Sequence, residues 1–344
     1  MDAHPADRRP RLTPAVADLR RAVRTQLDAQ GFAADSLLLV GLSGGADSLA
    51  LAAAVAFEAP RAGLRAGAVI IDHQLQAGSA VVAERAAEQA RSLGLDPVLV
   101  RAVSVSEHDT GDGPEATARQ ARYTAFERVA LERSAAGVLL AHTLDDQAET
   151  VLLGLARGSG VRSLAGMAPV SRTEGGALLL RPLLGIRRSE TVQACADQHL
   201  EPWFDPHNDD PSYTRVRVRK HVLPALETEL GPGVSDALAR TAEQLREDAD
   251  VLDVLAAESL DEAVVLVEGG IGLSVSALAA HPAAIRNRLI RRVIRTEFEQ
   301  SLSREHTLAI AQLVENWHGQ AELNLPGITV YREGATIAIR PNTK

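Results

Sequence analysis

Apolar positions in the first 200 residues follow two alternating patterns. Short apolar runs at 37–40, 66–72, 97–103, 138–141 and 178–180 have strand length. Between them lie longer segments whose apolar residues recur with helical spacing, at 14–30, 46–57, 79–92, 114–133, 144–156 and 189–199. Thr13-Pro14 supplies a helix start, and Gly31 and Gly94 supply stops. Strands alternating with helices predict an α/β fold, a doubly wound parallel sheet. Ligands of such sheets bind beyond the carboxyl ends of the strands, where Ser43, Asp72-His73 and His142 all fall. Residues 104–113 and 163–169 read as loops, and 203–211 as a turn-rich linker. Beyond it the pattern is mainly helical, at 217–229, 234–259, 282–299 and 303–317. Residues 321–340 then alternate apolar and polar around Pro326-Gly327 and Glu333-Gly334, which predicts short strands. The expected organisation is a disordered tail at 1–13, a catalytic domain at 14–215, and a smaller, mainly helical domain with short terminal strands at 216–344.

Composition narrows this picture. The chain has 344 residues, long for one domain and comfortable for two, and 46% are hydrophobic, enough for full cores. Aromatics make up 3%, so Ala, Val and Leu carry the packing. A formal charge of −9 argues against general affinity for nucleic acid, so any RNA contact must come from local basic patches. One cysteine, Cys195, excludes a disulfide framework and a cysteine-rich zinc site. No apolar run reaches the length of a membrane span, and the polar first twelve residues lack an apolar signal core, so a cytoplasmic protein is expected.

The most pointed chemistry lies at 36–52. An apolar strand, the turn Ser43-Gly44-Gly45-Ala46-Asp47-Ser48 and an Ala/Leu-rich helix follow one another. That order sets free backbone N–H groups at the positive end of a helix dipole, a place that binds anions. Gly44 and Gly45 let the backbone approach a phosphate closely, and Ser43 and Ser48 add hydroxyls. Asp47 would repel such a ligand unless it also meets a cation. The lysine of a Walker A loop is missing. The stretch resembles the PP-loop of the ATP pyrophosphatase superfamily, Ser-Gly-Gly-x-Asp-Ser. That resemblance implies an adenine nucleotide α-hydrolase-like fold, ATP as substrate and cleavage between its α and β phosphates.

Two further constellations lie on helices. Glu115, Arg119 and Arg122 can share one face, either as a solvated salt-bridge face or as part of a site. In the run His142 to Thr150, Asp146 and Glu149 are three apart and share a face. Thr143 and Asp146 also read as a capping box, which accounts for those two residues but not for His142, Asp145 and Glu149.

Taken in order, these motifs resemble the tRNA(Ile)-lysidine synthase family across roughly residues 36–230. They comprise the PP-loop, Asp72-His73-x-Leu75, Glu115 to Tyr123, His142 to Thr150, Arg157-Gly-Ser-Gly160, Leu164 to Met167, Arg181-Pro-Leu-Leu184, Tyr213 to Arg219, and Pro224. Val216 and His207 depart from the family pattern, which usually has Asn and Ser there. The resemblance implies ATP-dependent attachment of free L-lysine to the wobble cytidine of the isoleucine tRNA with anticodon CAU, through an adenylated tRNA. AMP and pyrophosphate leave. It further implies Ser43 to Ser48 as the ATP site, with Mg²⁺ near Asp47. Asp146 and Glu149 become candidates for lysine or the metal, and His142 and Arg119 for the activated phosphate or base. Two basic patches are candidates for tRNA: Arg215, Arg217, Arg219 and Lys220, and Arg286, Arg288, Arg291, Arg292 and Arg295. A related tRNA thiolase or an ammonia-dependent adenylating synthetase is the alternative, and a homodimer is left open.

Overall fold

A computed structural model describes residues 12–72, 74, 78–103 and 114–342, with the side chains at 114–116, 118 and 207 set aside. His73, Leu75, the loop 104–113 and the tail up to residue 11 lie outside the described residues. The chain divides into two compact units, Met1–Glu243 and Gln244–Lys344. The boundary read from sequence, at 215/216, falls within the first unit.

The first unit is built on a six-stranded sheet. Its strands are β1 (Leu37–Gly41), β2 (Arg65–Asp72), β3 (Val98–Ala102), β4 (Gly137–Leu139), β5 (Val170–Arg172) and β6 (Leu178–Leu180). They lie in the order β3-β2-β1-β4-β6-β5, parallel except for the edge strand β5. The helices are α1 (Pro14–Gln30), α2 (Ala46–Arg61), α3 (Ser79–Ser92), α4 (Pro114–Glu132), α5 (Leu144–Ala156), the short α6 (Val161–Leu164) and α7 (Arg188–Asp197). β1 is buried on both faces because both are covered, as a central parallel strand requires. The two-residue period divides it: Leu38 and Val40 pack with Leu49, Val55 and Leu19 on one side, Leu37 and Leu39 with Phe126, Val129 and Leu179 on the other.

β1 pairs with β2 on one side and with β4 on the other, so the strand order reverses there. The carboxyl ends of β1 and β4 therefore flank the topological switch point, where α/β sheets open a crevice. Gly41 ends β1 without a side chain because a Cβ there would lie 2.9 Å from the Phe126 ring.

After α7 the first unit continues through α8 (Thr214–Arg217), a π-helical turn at Val218–Val222, α9 (Leu223–Glu229) and the start of α10 (Val234–Glu258). The second unit contains α11 (Leu260–Ala263), α12 (Val275–Ala280), α13 (Ala283–Phe298) and α14 (Arg304–Glu315). Its antiparallel sheet runs β7-β8-β11-β10-β9, with β7 (Val264–Val267), β8 (Gly270–Ser274), β9 (Leu323–Leu325), β10 (Ile328–Glu333) and β11 (Thr336–Pro341). The terminal strands lie where the alternation placed them. The β7–β8 hairpin was not read from the sequence and extends the sheet to five strands. Leu273, Leu289, Ile290, Ile310, Ile328 and Ile337 form this unit's core.

Candidate active site

The loop after β1 is held by its own hydroxyls. Ser43 and Ser48 Oγ lie 3.1 Å apart, Ser43 N donates to Ser48 Oγ at 3.2 Å, and Ser48 Oγ donates to the Gly45 carbonyl at 2.9 Å. Gly44 has φ +81°, a left-handed conformation that favours glycine. Trp203 N donates to the Gly44 carbonyl at 2.9 Å, fastening the 203 segment across the loop. Gly45 is the extended N-cap of α2, so the first N–H groups of that helix are available to an anion.

A cavity of about 370 Å³ opens at the switch point. Ser43, Asp47 and Ser48 line it from the PP-loop, Asp72 from the end of β2, His142 from beyond β4, and Trp203 from the segment across it. This volume falls in the range of small-molecule sites. Arg122 and Tyr123 of α4 also line it, whereas Arg119 lines a second, adjoining cavity with Tyr123. Of the two arginines in the α4 motif, the structure thus sets Arg122 against the switch-point cavity.

Asp146 serves two purposes through two oxygens. Its Oδ2 accepts from Thr143 N at 2.9 Å and Thr143 Oγ1 at 3.0 Å, which completes the capping box of α5. Its Oδ1 lies 2.8 Å from Arg188 Nη2, 3.5 Å from Arg215 and 3.6 Å from Arg219. The cap and the charged site, alternatives at the level of sequence, are one residue. Burial opposes ionisation of Asp146, but Arg188 and then Arg215 outweigh it and hold the carboxyl at about 2.

Glu149, one helical turn on, is fully buried. Its Oε1 accepts from Arg219 Nε at 2.7 Å and its Oε2 from Arg215 Nε at 2.7 Å, and Arg188 Nη1 lies 3.4 Å away. The four-residue spacing of Arg215 and Arg219 presents both to this one carboxylate. The basic residues at 215–220, candidates for tRNA in the sequence, are engaged within the protein. Arg217 donates to the carbonyls of Pro211 and Ser212, and Lys220 pairs with Asp209 at 2.5 Å. In the second patch Arg286 pairs with Glu315 and Arg288 with Asp253, while Arg291, Arg292 and Arg295 are exposed along α13.

Arg188 was missed by sequence reasoning. Its backbone N–H donates to Asp145 at 2.8 Å, and its guanidinium reaches Asp146, Glu149 and, at 3.4 Å, Asp47. It is the cation that the PP-loop carboxylate needs. Thr191, one turn along α7, also donates to Asp47. Burial pushes the Asp47 carboxyl above its ordinary value, against the pull of Thr191 and Arg188. The available signal was the pair Arg187-Arg188 at the start of α7, where positive charge opposes the helix dipole and so requires nearby acids. Asp47, Asp146 and Glu149 thus face Arg188, Arg215 and Arg219, three charges against three.

His142 is half-buried and its Nδ1 has no partner among the described residues. Burial, with help from Arg181 and Arg122, lowers it to about 3, so the ring is neutral at physiological pH. Among the described residues no group of three or more His, Cys, Asp or Glu gathers as a metal cage. Asp47 alone still suits Mg²⁺ carried on phosphates, which takes one or two protein carboxylates.

A family model described as the PP-loop domain matches residues 18–226, and one described as the TilS substrate binding domain matches 273–336. The tRNA(Ile)-lysidine synthase of Leifsonia xyli subsp. xyli is 60% identical over 90% of this chain and 91% of its own length. That of Thermobifida fusca is 51% identical over 91% and 94%. The chain belongs to the tRNA(Ile)-lysidine synthase family. Its members are ligases that form a carbon–nitrogen bond, and the PP-loop domain is their ATP-using part. Among solved structures, the U34-tRNA thiolase NcsA from Methanococcus maripaludis, a protein with a [4Fe-4S] cluster, superposes with a TM-score of 0.56. It covers 68% of this chain and 80% of its own at 20% identity, a likeness of fold. Among the described residues no helix is long and apolar enough to cross a membrane.

Proposed function

We propose that the switch-point cavity binds ATP and the wobble cytidine of a CAU-anticodon isoleucine tRNA, and that lysine joins them from the Asp146–Glu149 side. The observation that carries this reading is the meeting of the PP-loop on one wall of the cavity with His142 on the other. The cytidine carbonyl oxygen attacks the α-phosphorus, the bond to pyrophosphate breaks, and an adenylated tRNA forms. The ε-ammonium of lysine loses a proton to water, the neutral amine attacks the activated ring carbon, the carbon–oxygen bond to AMP breaks, and the added nitrogen passes its extra proton to the departing AMP phosphate.

Ser43 to Ser48 hold the departing pyrophosphate through hydroxyls and backbone N–H groups. Mg²⁺, held by Asp47 with phosphate oxygens, would supply charge neutralisation there. Arg122 stands beside the activated phosphate, and neutral His142 orients phosphate or base. Held near 2 and 3, Asp146 and His142 are poor general bases at neutral pH and act by position and charge. Asp146, the less buried of the two carboxylates, receives the lysine ammonium while still paired with Arg188, and Glu149, closed off by Arg215 and Arg219, adds negative charge behind it. Arg291, Arg292 and Arg295 on α13 are candidates for tRNA phosphates. The protein acts in the cytoplasm.

The thiolase alternative requires reactive sulfur. Cys195 is the chain's single cysteine, buried, donating to the Ala46 carbonyl at 3.3 Å, and burial pushes its thiol up to about 11. Purified protein with ATP, radiolabelled lysine and the unmodified CAU tRNA tests the reading. The expected result is tRNA-dependent release of pyrophosphate and labelled tRNA. Pyrophosphate release that depends on ammonia and ignores tRNA would overturn it.

A further inference from the structure

A second cavity, about 700 Å³, adjoins the first across Tyr123, which lines both. Its walls include Arg119, Tyr123, Ser171, Arg172 and Arg181, with Glu127 at one side. Arg181 follows β6 and is 6% exposed. Its Nη1 donates to the Ala168 carbonyl and to Ser171 Oγ, both at 2.9 Å, and its Nη2 lies 3.5 Å from the Tyr123 hydroxyl. Arg119 Nη2 donates to the same hydroxyl at 3.2 Å. Arg181 Nε is buried and has no partner among the described residues.

None of Arg119, Arg122 and Arg181 pairs with a carboxylate among the described residues, in contrast to Arg188, Arg215 and Arg219. Glu127, which accepts from Thr173 Oγ1 at 2.7 Å, and Glu174 also line the cavity, two carboxylates against the three guanidiniums of Arg119, Arg172 and Arg181. A guanidinium stays charged at any working pH, so cations outnumber carboxylates among the described residues that line the pocket. A buried cation without a paired carboxylate is costly, and an anion entering the pocket supplies the missing counter-charge. The same field reaches Tyr123, whose hydroxyl is pulled below its ordinary value by Arg119 and Arg181 against the effect of burial.

We propose that Arg181, with Arg119 and the Tyr123 hydroxyl, forms a phosphate subsite for the backbone of the RNA strand whose cytidine enters the neighbouring cavity. The proposal rests on the tRNA reading above and deepens it by assigning where the strand is gripped. With Arg181 Nη1 engaged by Ala168 and Ser171, the N–H groups that remain, on Arg181 Nη2 and on Arg119, are the donors for the non-bridging oxygens of a phosphodiester, and the Tyr123 hydroxyl lies between the two cavities. A phosphate of ATP is the other source of the same chemistry.

Tight tRNA binding measured at several salt concentrations, beside ATP binding measured without tRNA, separates these sources. Arg181→Lys and Arg181→Gln are compared with the wild type, with thermal melting as a check on the fold. Expected is weaker tRNA binding with a salt slope reduced by about 0.7 for Arg181→Gln, the value for one single-stranded phosphate contact. Arg181→Lys should recover part of the slope, because it keeps the charge and loses the fork. ATP affinity should stay within twofold. Should Arg181→Gln fail to fold, the more exposed Arg119→Gln replaces it with the same expected slope change. Loss of ATP affinity with an unchanged tRNA slope assigns the pocket to ATP and overturns the proposal, as does no change in either. A wild type that transfers lysine to tRNA while the variants keep its slope sinks this subsite alone. A wild type that does not bind the tRNA sinks the tRNA reading and the subsite with it.

Discussion

Arg188 Nη2 stands 2.8 Å from Asp146 Oδ1, and the same guanidinium extends to Glu149 and to Asp47 at 3.4 Å. One side chain from the start of α7 thus ties the PP-loop to the first two turns of α5. Removing it leaves three partly or fully buried carboxylates with fewer counter-ions. Breaking such a buried pairing costs about 3–5 kcal/mol, and Arg215 and Arg219 remain, so Arg188→Ala should lie at the lower end. Chemical denaturation measures this. A loss under 1 kcal/mol would mean that Arg188 does not hold the cluster.

Arg219 and Arg217 are two residues apart and should behave differently. Arg219 grips buried Glu149, whereas Arg217 meets backbone carbonyls and Thr214 at the surface. Arg219→Ala is expected to cost about 2–3 kcal/mol through Glu149, and Arg217→Ala less than about 1 kcal/mol. Equal melting temperatures for the two variants would contradict this division.

If the loop holds the leaving group as proposed, Asp47→Asn should abolish most pyrophosphate release, on the order of 10²–10³-fold, because preorganised charge is lost. The fold should survive with a moderate loss of stability from the Thr191 and Arg188 contacts. Near-normal turnover would remove Asp47 from the site.

Acid should destabilise the first unit in two overlapping ways. Asp146 has a depressed pKa, so its contribution is complete above the ordinary carboxylate value and is lost as pH falls towards about 2. His142 stays neutral in the fold down to about 3, whereas the unfolded chain protonates it near 6.5. Stability therefore also falls between pH 6.5 and 3, because the unfolded state binds the extra proton. His142→Asn should flatten that upper part of the curve, read by urea titrations from pH 7 to 3.5. In NMR the His142 ring should show no titration between pH 5 and 8.

Cys195→Ala should keep lysine transfer and cost no more than about 1 kcal/mol, because the thiol is a small buried packing group. Loss of tRNA modification with an intact fold would bring the sulfur-transfer reading back.

Local patterns revealed most of this architecture. The loop at Ser43–Ser48 and the shared face of Asp146 and Glu149 follow from spacing over fewer than ten residues, and the parallel sheet from the alternation of strands and helices. What stayed hidden was pairing across distance. Glu149 meets Arg215 and Arg219 from 66 and 70 residues away, and Asp47 meets Arg188 from 141. Nothing in a helical period says which acid a distant arginine will find. The β7–β8 hairpin had a legible signal, a β-branched run before Glu268-Gly269, but its partner strand β11 lies more than sixty residues on.

Trp203, fastened to the Gly44 carbonyl, gives the switch-point cavity its own optical reporter. The chain has one other tryptophan, Trp317, which lies in the second unit with Arg332 stacked 4.6 Å over its ring. Each compact unit therefore carries a single indole. In a Trp317→Phe background, emission should follow the PP-loop wall alone, and occupancy of the cavity becomes readable in real time without a label.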